Sequence, residues 1–191
     1  MSLNPKTDSS FADYLAAERE AQDVKHEYLA GEIFAMTGAS FRHNLIVANI
    51  VRHLGNQLAD RPCTVLANDM RVHVKAMDLC AYPDIVGLCG EPSFYDEWED
   101  VLTNPALIIE VLSKSTQGYD RADKFALYRA LPSLREYVLA SQSRVGLDLY
   151  TREAADRWVL TPYTQLAECI RLESIGCTLG LAEVYAKVEW R

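Results

Sequence analysis

The sequence predicts a mixed α/β protein with an α-β-β-β-α-β core, and three observations predict it. A long segment, 41–60, carries apolar residues at helical spacing; three extended runs follow it, within 63–113; and the last two of these runs are apolar on both faces, as strands covered on both sides are. A second helical segment and another extended run complete the order. The expected architecture is a mixed central sheet flanked by helices, in one domain spanning 1–191, because 191 residues fit one domain of ordinary size.

Residues 1–10, within MSLNPKTDSSFADYL, read as a flexible lead-in, without the basic, apolar, small-residue order of a signal peptide. Segment 26–37, HEYLAGEIFAMT, reads as two short strands turning at Ala30-Gly31. Ser40 is placed to cap the following helix, FRHNLIVANIVRHLGNQLAD, whose Ile46, Ile50 and Leu54, with Val47, Val51 and Leu58, form one stripe. Pro62 is expected to end it. The runs CTVLANDMRVHV, YPDIVGL and PALIIEVLS then read as strands, each bounded by Pro, Gly, Asn or acidic residues. Between the last two lies GEPSFYDEWED, which reads as a solvated surface loop. A helix over YDRADKFALYRAL stops at Pro132, and REYVLAS follows as a strand. The runs VGLDLYTR, RWVLTPYT and CIRLESI add C-terminal strands before a short helix around 181–188.

Composition narrows the function. Hydrophobic residues make up 49% and charged residues 24%, which excludes a disordered or fibrous chain. The longest apolar stretches fall far short of the roughly 18 residues of a membrane span, so the expected location is the cytoplasm. Five scattered cysteines, with no C-x-x-C pair, read as reduced and mostly packed thiols. A net charge of −8 and a pI near 5.0 argue against coating nucleic acid through a broad basic surface. A locally positive site, with a metal ion and a few Lys or Arg, is compatible with that balance.

Asp84 in YPDIVGL and Glu110 in LIIEVLS each sit among aliphatic residues of a strand expected to be buried. An isolated ionised carboxylate there costs several kcal/mol unless it is paired, hydrogen-bonded or bound to a cation. Singly, each is explained by a basic partner or by a strand end in water. Together, on neighbouring central strands, they point to a divalent metal such as Mg²⁺, which accepts one or two carboxylates and fills its other positions with water and phosphate. Lys124 shares a helix face with Asp120 and Tyr128 just after the strand bearing Glu110, so its ammonium is expected to reach the same pocket; the rival reading is a surface pair with Asp120. His43, inward on the first turn of the long helix, is read either as a phosphate-positioning donor or as a hydrogen-bonded core histidine. Glu32 is a candidate third acid, against the plainer reading of an exposed hairpin glutamate. Arg42, Arg71 and Lys75 are candidates for backbone phosphate contacts, against solvated surface; His26, His53 and His73 show no ligand spacing.

The segments HEYLAGEIFAMTGASFRHN, NDMRV, YPDIVGLCG, 102–139 and LGLAEVY together resemble small bacterial restriction-endonuclease-like proteins of the PD-(D/E)XK superfamily, numerous in cyanobacteria. The resemblance covers nearly the whole chain. It implies the restriction-endonuclease-like fold, metal-binding acids at Asp84 and Glu110, a displaced lysine at Lys124 and the helix histidine at His43. Leu112 stands where an E-x-K motif would need lysine, and Lys114 stands where the family commonly has proline. The resemblance implies metal-dependent phosphodiester hydrolysis; the mechanism expected on these residues is endonucleolytic cleavage of DNA with Mg²⁺ or Mn²⁺ held by Asp84 and Glu110, the Val111 carbonyl being a further candidate ligand, and with Lys124 orienting water or neutralising charge. The alternatives are a catalytically silent nuclease fold used for nucleic-acid binding or protein assembly, and a hydrolase of small phosphodiesters. Phe94, Tyr95 and Trp98 offer a contact patch for a homodimer.

Overall fold

The two runs read as doubly covered strands are adjacent interior strands of a mixed six-stranded sheet in the computed structural model, which describes residues 9–112, 124–154 and 157–190. In chain order the elements are α1 (Phe11–Glu20), the hairpin β1 (His26–Leu29) and β2 (Glu32–Ala35), and α2 (Phe41–Leu58). Then come β3 (Cys63–Ala67), β4 (Arg71–Val74), β5 (Leu79–Ala81), β6 (Ile85–Cys89), β7 (Val101–Leu102) and β8 (Leu107–Leu112). The one-turn helix α3 (Phe125–Tyr128) leads to β9 (Glu136–Ser141), β10 (Leu147–Ala154) and β11 (Arg157–Tyr163), and β12 (Cys169–Leu172), β13 (Cys177–Gly180) and α4 (Leu181–Val184) follow.

The larger sheet runs β11-β10-β9-β8-β6-β3, with β8 parallel to β9 and its other neighbours antiparallel. Alternation along β8 gives it two lives. Leu107, Ile109 and Val111 pack with Val138 and Ala140 against Ile46, Ile50 and Leu54 of α2, and the β12–β13 hairpin and α4 close that side. Each of those helix residues is fully buried, worth about 2 kcal/mol apiece relative to exposure. Ile108 and Leu112 face the other way, with Tyr137 and Leu139, toward Val72, Val74 and Leu79 of a second sheet, order β2-β1-β5-β4-β7. Gly87 makes the β6–β8 approach possible: a Cβ there would lie 3.2 Å from that of Leu107.

Several elements differ from the sequence-based expectation. The run 63–74 is not one strand: it breaks after Ala67, where Asn68 takes a left-handed conformation (φ 66°), and β3 and β4 join different sheets. Residues 11–20, for which the sequence predicts no element, form α1, capped by Ser10 Oγ accepting the Asp13 N–H and buried through Tyr14 and Leu15. Helix α2 stops at Leu58, before Pro62. Only the final turn of the helix expected over 119–131 is described, and Asp120 and Lys114 lie outside the described residues. The loop 90–100 is not fully solvated, since Asp96 and Asp100 pair with Arg19 and Phe94 is half-buried; Tyr95 and Trp98 remain exposed.

The cysteine expectation needs correction. Cys63 and Cys89 stand directly opposite each other on β3 and β6, with Cα atoms 3.9 Å apart, and form a disulfide. Their separation of 26 positions hid this, because a cross-strand pair is set by register and not by local spacing. Cys80 and Cys177 are buried thiols, and Cys169 is an exposed one. Burial pushes the Cys80 thiol up to about 12. Among the described residues no helix is long and apolar enough to cross a membrane.

Candidate active site

Asp84 and Glu110 meet where the β6–β8 ladder ends. Pairing begins at Ile85 opposite Ile109, so Asp84 lies one residue before β6 and not within it, and its side chain reaches the edge of solvent. Glu110 is inside β8, only 4% exposed, on the same face as Ile108 and Leu112. The two acids interlock through backbone. The Asp84 N–H donates to Glu110 Oε2 at 3.2 Å, and the Val111 N–H donates to Asp84 Oδ2 at 2.7 Å. Each carboxylate is thus fixed by the other's strand, which is possible only because the ladder has opened there and left those N–H groups free.

Helix α2 delivers His43. Ser40 Oγ accepts the His43 N–H at 3.1 Å as the helix cap, and the imidazole Nε2 lies 3.0 Å from Asp84 Oδ2. Of the two readings, phosphate donor or satisfied histidine, the geometry gives Nε2 to Asp84, while Nδ1 is buried without a partner among the described residues. Lys124, at the start of α3, sends its ammonium into the fold: Nζ is 2.9 Å from Glu27 Oε1 and 3.5 Å from Glu110 Oε1. The Tyr128 hydroxyl lies 3.5 Å from the same Glu110 oxygen. The alternative partner for Lys124, Asp120, lies outside the described residues.

Glu27 is the residue that the sequence reading missed. It lies on β1, buried, and also accepts the Tyr82 N–H at 3.3 Å, so it grips Lys124 from behind. Glu32, weighed as a third acid, begins β2 at the turn, and no interaction with Asp84, Glu110 or Lys124 is seen for it among the described residues. A signal was available: Glu27 sits inside the strand, opposite Phe34, where a carboxylate needs a reason, whereas Glu32 sits at its tip. Of the basic candidates, Arg71 is spent on Asp100 and Tyr82, and Arg42 donates to the Gln142 carbonyl. His26 pairs with Glu18, His53 lies 3.4 Å from Glu183, and His73 stacks on Phe11.

Asp84, Glu110, His43 and Lys124 line one open cleft of about 890 Å³. At its inner wall Lys124 meets Glu110 and, behind it, Glu27, while Asp84 meets His43. The donors facing the cleft are hard oxygens, and Asp84 Oδ1 makes no hydrogen bond among the described residues. This set fits Mg²⁺ or Mn²⁺ and not a soft metal. No group of three His, Cys, Asp or Glu side chains forms a complete cage among the described residues, and a cation of the Mg²⁺ type needs none, since it keeps water and substrate oxygens as ligands.

A crystal structure described as a putative nuclease of the DUF820 family, from Anabaena variabilis, superimposes with a TM-score of 0.73 at 14% identity, covering 94% of this chain and 98% of that one. At that identity the likeness speaks to the fold, which is restriction-endonuclease-like. Two uncharacterized Synechocystis proteins are 37% identical over 150 residues, covering 78% of this chain and 84% of the relative, and 34% identical over 173 residues, covering 91% and 89%. Residues 11–182 match the family model Uma2, described as "Putative restriction endonuclease". The interlocked acids and their lysine therefore stand in a chain that belongs to the Uma2 family.

Proposed function

We propose that this chain is an endonuclease that hydrolyses DNA phosphodiester bonds with Mg²⁺, or Mn²⁺, at Asp84 and Glu110. The observation that carries this reading is the reciprocal lock between those two acids, which aims hard oxygen donors into a cleft that also holds a lysine. When bound, the cation supplies Lewis-acid polarisation of the phosphate and eases loss of a proton from the attacking water. Asp84 and Glu110 hold it. Lys124, fixed by Glu27, offsets the negative charge that grows on the phosphoryl oxygens as water adds to phosphorus and the bond to the leaving oxygen breaks. His43 positions Asp84 through Nε2 and so acts on the site at one remove. Asp84→Ala should abolish Mg²⁺-dependent nicking of plasmid DNA and, in EDTA, leave the thermal melt of the fold in place; unchanged nicking would sink the assignment.

A second reading is favoured by one distance: Lys124 stands closer to Glu27 than to Glu110, as it would in a site kept for structure and not for turnover. In a silent nuclease fold, calorimetric titration with Mg²⁺ or Mn²⁺ would give no heat dependent on Asp84.

A further inference from the structure

Beside the carboxylate cleft lies a second concavity of about 770 Å³, and the two share Ser40 and Gln142 as a common sill. Ser40 Oγ donates to Gln142 Oε1 at 2.7 Å, so the sill is fixed. The Gln142 carbonyl accepts from Arg42 and from the Trp190 indole N–H. Beyond it stand Phe41, Arg42 and Lys187. Phe41, the first residue of α2, is 83% exposed, the most exposed large apolar side chain among the described residues. Arg42 uses one of its five N–H groups on the Gln142 carbonyl. Lys187 shows no ion pair among the described residues, and it holds a left-handed backbone (φ 63°) that a non-glycine residue adopts only at a cost. Glu189, on the same wall, already has a partner.

In a chain of net charge −8, two cations beside a bare aromatic ring, reached over a sill from the acidic cleft, make a surface that fits both the phosphates and the base faces of a nucleic-acid strand. We propose that this concavity is the subsite for the nucleotides flanking the scissile phosphate: a base stacks on Phe41, and Arg42 and Lys187 meet the adjoining backbone phosphates. The proposal rests on the nuclease reading of the neighbouring cleft and sharpens it. A base offers its face to an aromatic ring only when it is unstacked from its own strand. The subsite therefore selects DNA with unpaired nucleotides next to the cut, such as single strands or frayed ends, over a blunt duplex.

The test is fluorescence anisotropy with a labelled single-stranded oligothymidine and a labelled blunt duplex, using the whole chain with Ca²⁺ in place of Mg²⁺. Phe41→Ala should weaken single-strand binding roughly five- to hundred-fold, the range for loss of one base–aromatic stack, while barely moving duplex binding; Phe41→Trp should retain it. Lys187→Gly relieves the left-handed backbone, so it melts no lower than the parent, yet it should lower affinity and flatten the salt dependence by about one phosphate contact. Unchanged single-strand affinity in Phe41→Ala, an equal loss on duplex, or a parent protein that binds neither probe would overturn the subsite. Phe41-dependent binding by a chain that cuts no DNA would leave the subsite standing and remove the nuclease. Cutting with no effect of Phe41 would do the reverse.

Discussion

Tyr82 stands between two charged clusters that are composed differently. Its N–H donates to Glu27 beside Lys124, and its hydroxyl donates to Glu18 and accepts from Arg71. On the Arg71 side, Arg19 and Arg71 face Asp96 and Asp100, two cations to two anions, in partly exposed side chains joined at 2.6–3.0 Å. On the Lys124 side, Glu27 and Glu110 meet at one lysine and Asp84 meets His43, Glu27 and Glu110 being nearly inaccessible to water. The first cluster is complete as it stands and ties α1 to β4 and to the loop 90–100. In the second, two buried acids meet at one ammonium and Asp84 stands beside them at the cleft, which is where the proposed cation would enter the charge balance.

Removing the lysine should have the largest effect on stability. Lys124→Met leaves Glu27 and Glu110 facing each other without their shared cation, and breaking such a buried pair costs about 3–5 kcal/mol. Urea denaturation in EDTA would measure it, and Mg²⁺ should restore part of the loss; a variant as stable as the parent in EDTA would remove the contrast between the clusters. Next comes the cation itself. At a hundred times its dissociation constant, Mg²⁺ should stabilise the parent by about 2.7 kcal/mol, or raise its melting temperature by roughly 5–10 °C. Asp84→Asn should show no such rise, and an equal rise in both would place the cation elsewhere.

The same contrast explains what could be read from the sequence. Asp84 and Glu110 stood out because a carboxylate among aliphatic residues is anomalous locally, and α2 stood out because Ile46, Ile50 and Leu54 repeat on one face. Glu27 did not, since the lysine that explains it lies 97 positions away and meets it only after β1 has paired with β5. The break at Asn68 was hidden by a run whose composition stays strand-like on both sides of it. Helix α1 was missed because its few buried side chains include Glu18, whose polarity makes sense only beside His26 and Tyr82. Lys124 fell between these cases: its place after β8 was visible, and the carboxylate that anchors it was not.

The matched cluster makes the smallest prediction, and it is one of sign. The Arg19 guanidinium, then Arg71, holds the Asp100 carboxyl below the usual carboxylate range, and Arg19 does the same to Asp96. Both acids therefore release protons more readily folded than unfolded. Their stabilisation is full above the unfolded range near pH 4 and drains as pH falls through the depressed folded values. Asp100→Asn should cost about 1 kcal/mol at neutral pH, as expected for a half-exposed pair in a network, and should leave DNA cleavage unchanged. Measured by urea denaturation between pH 6 and pH 3, the gap between parent and variant should close as the solution is acidified. A gap that widened toward low pH would mean that Asp100 is not held ionised by the arginines, and the α1 contact would then need another explanation.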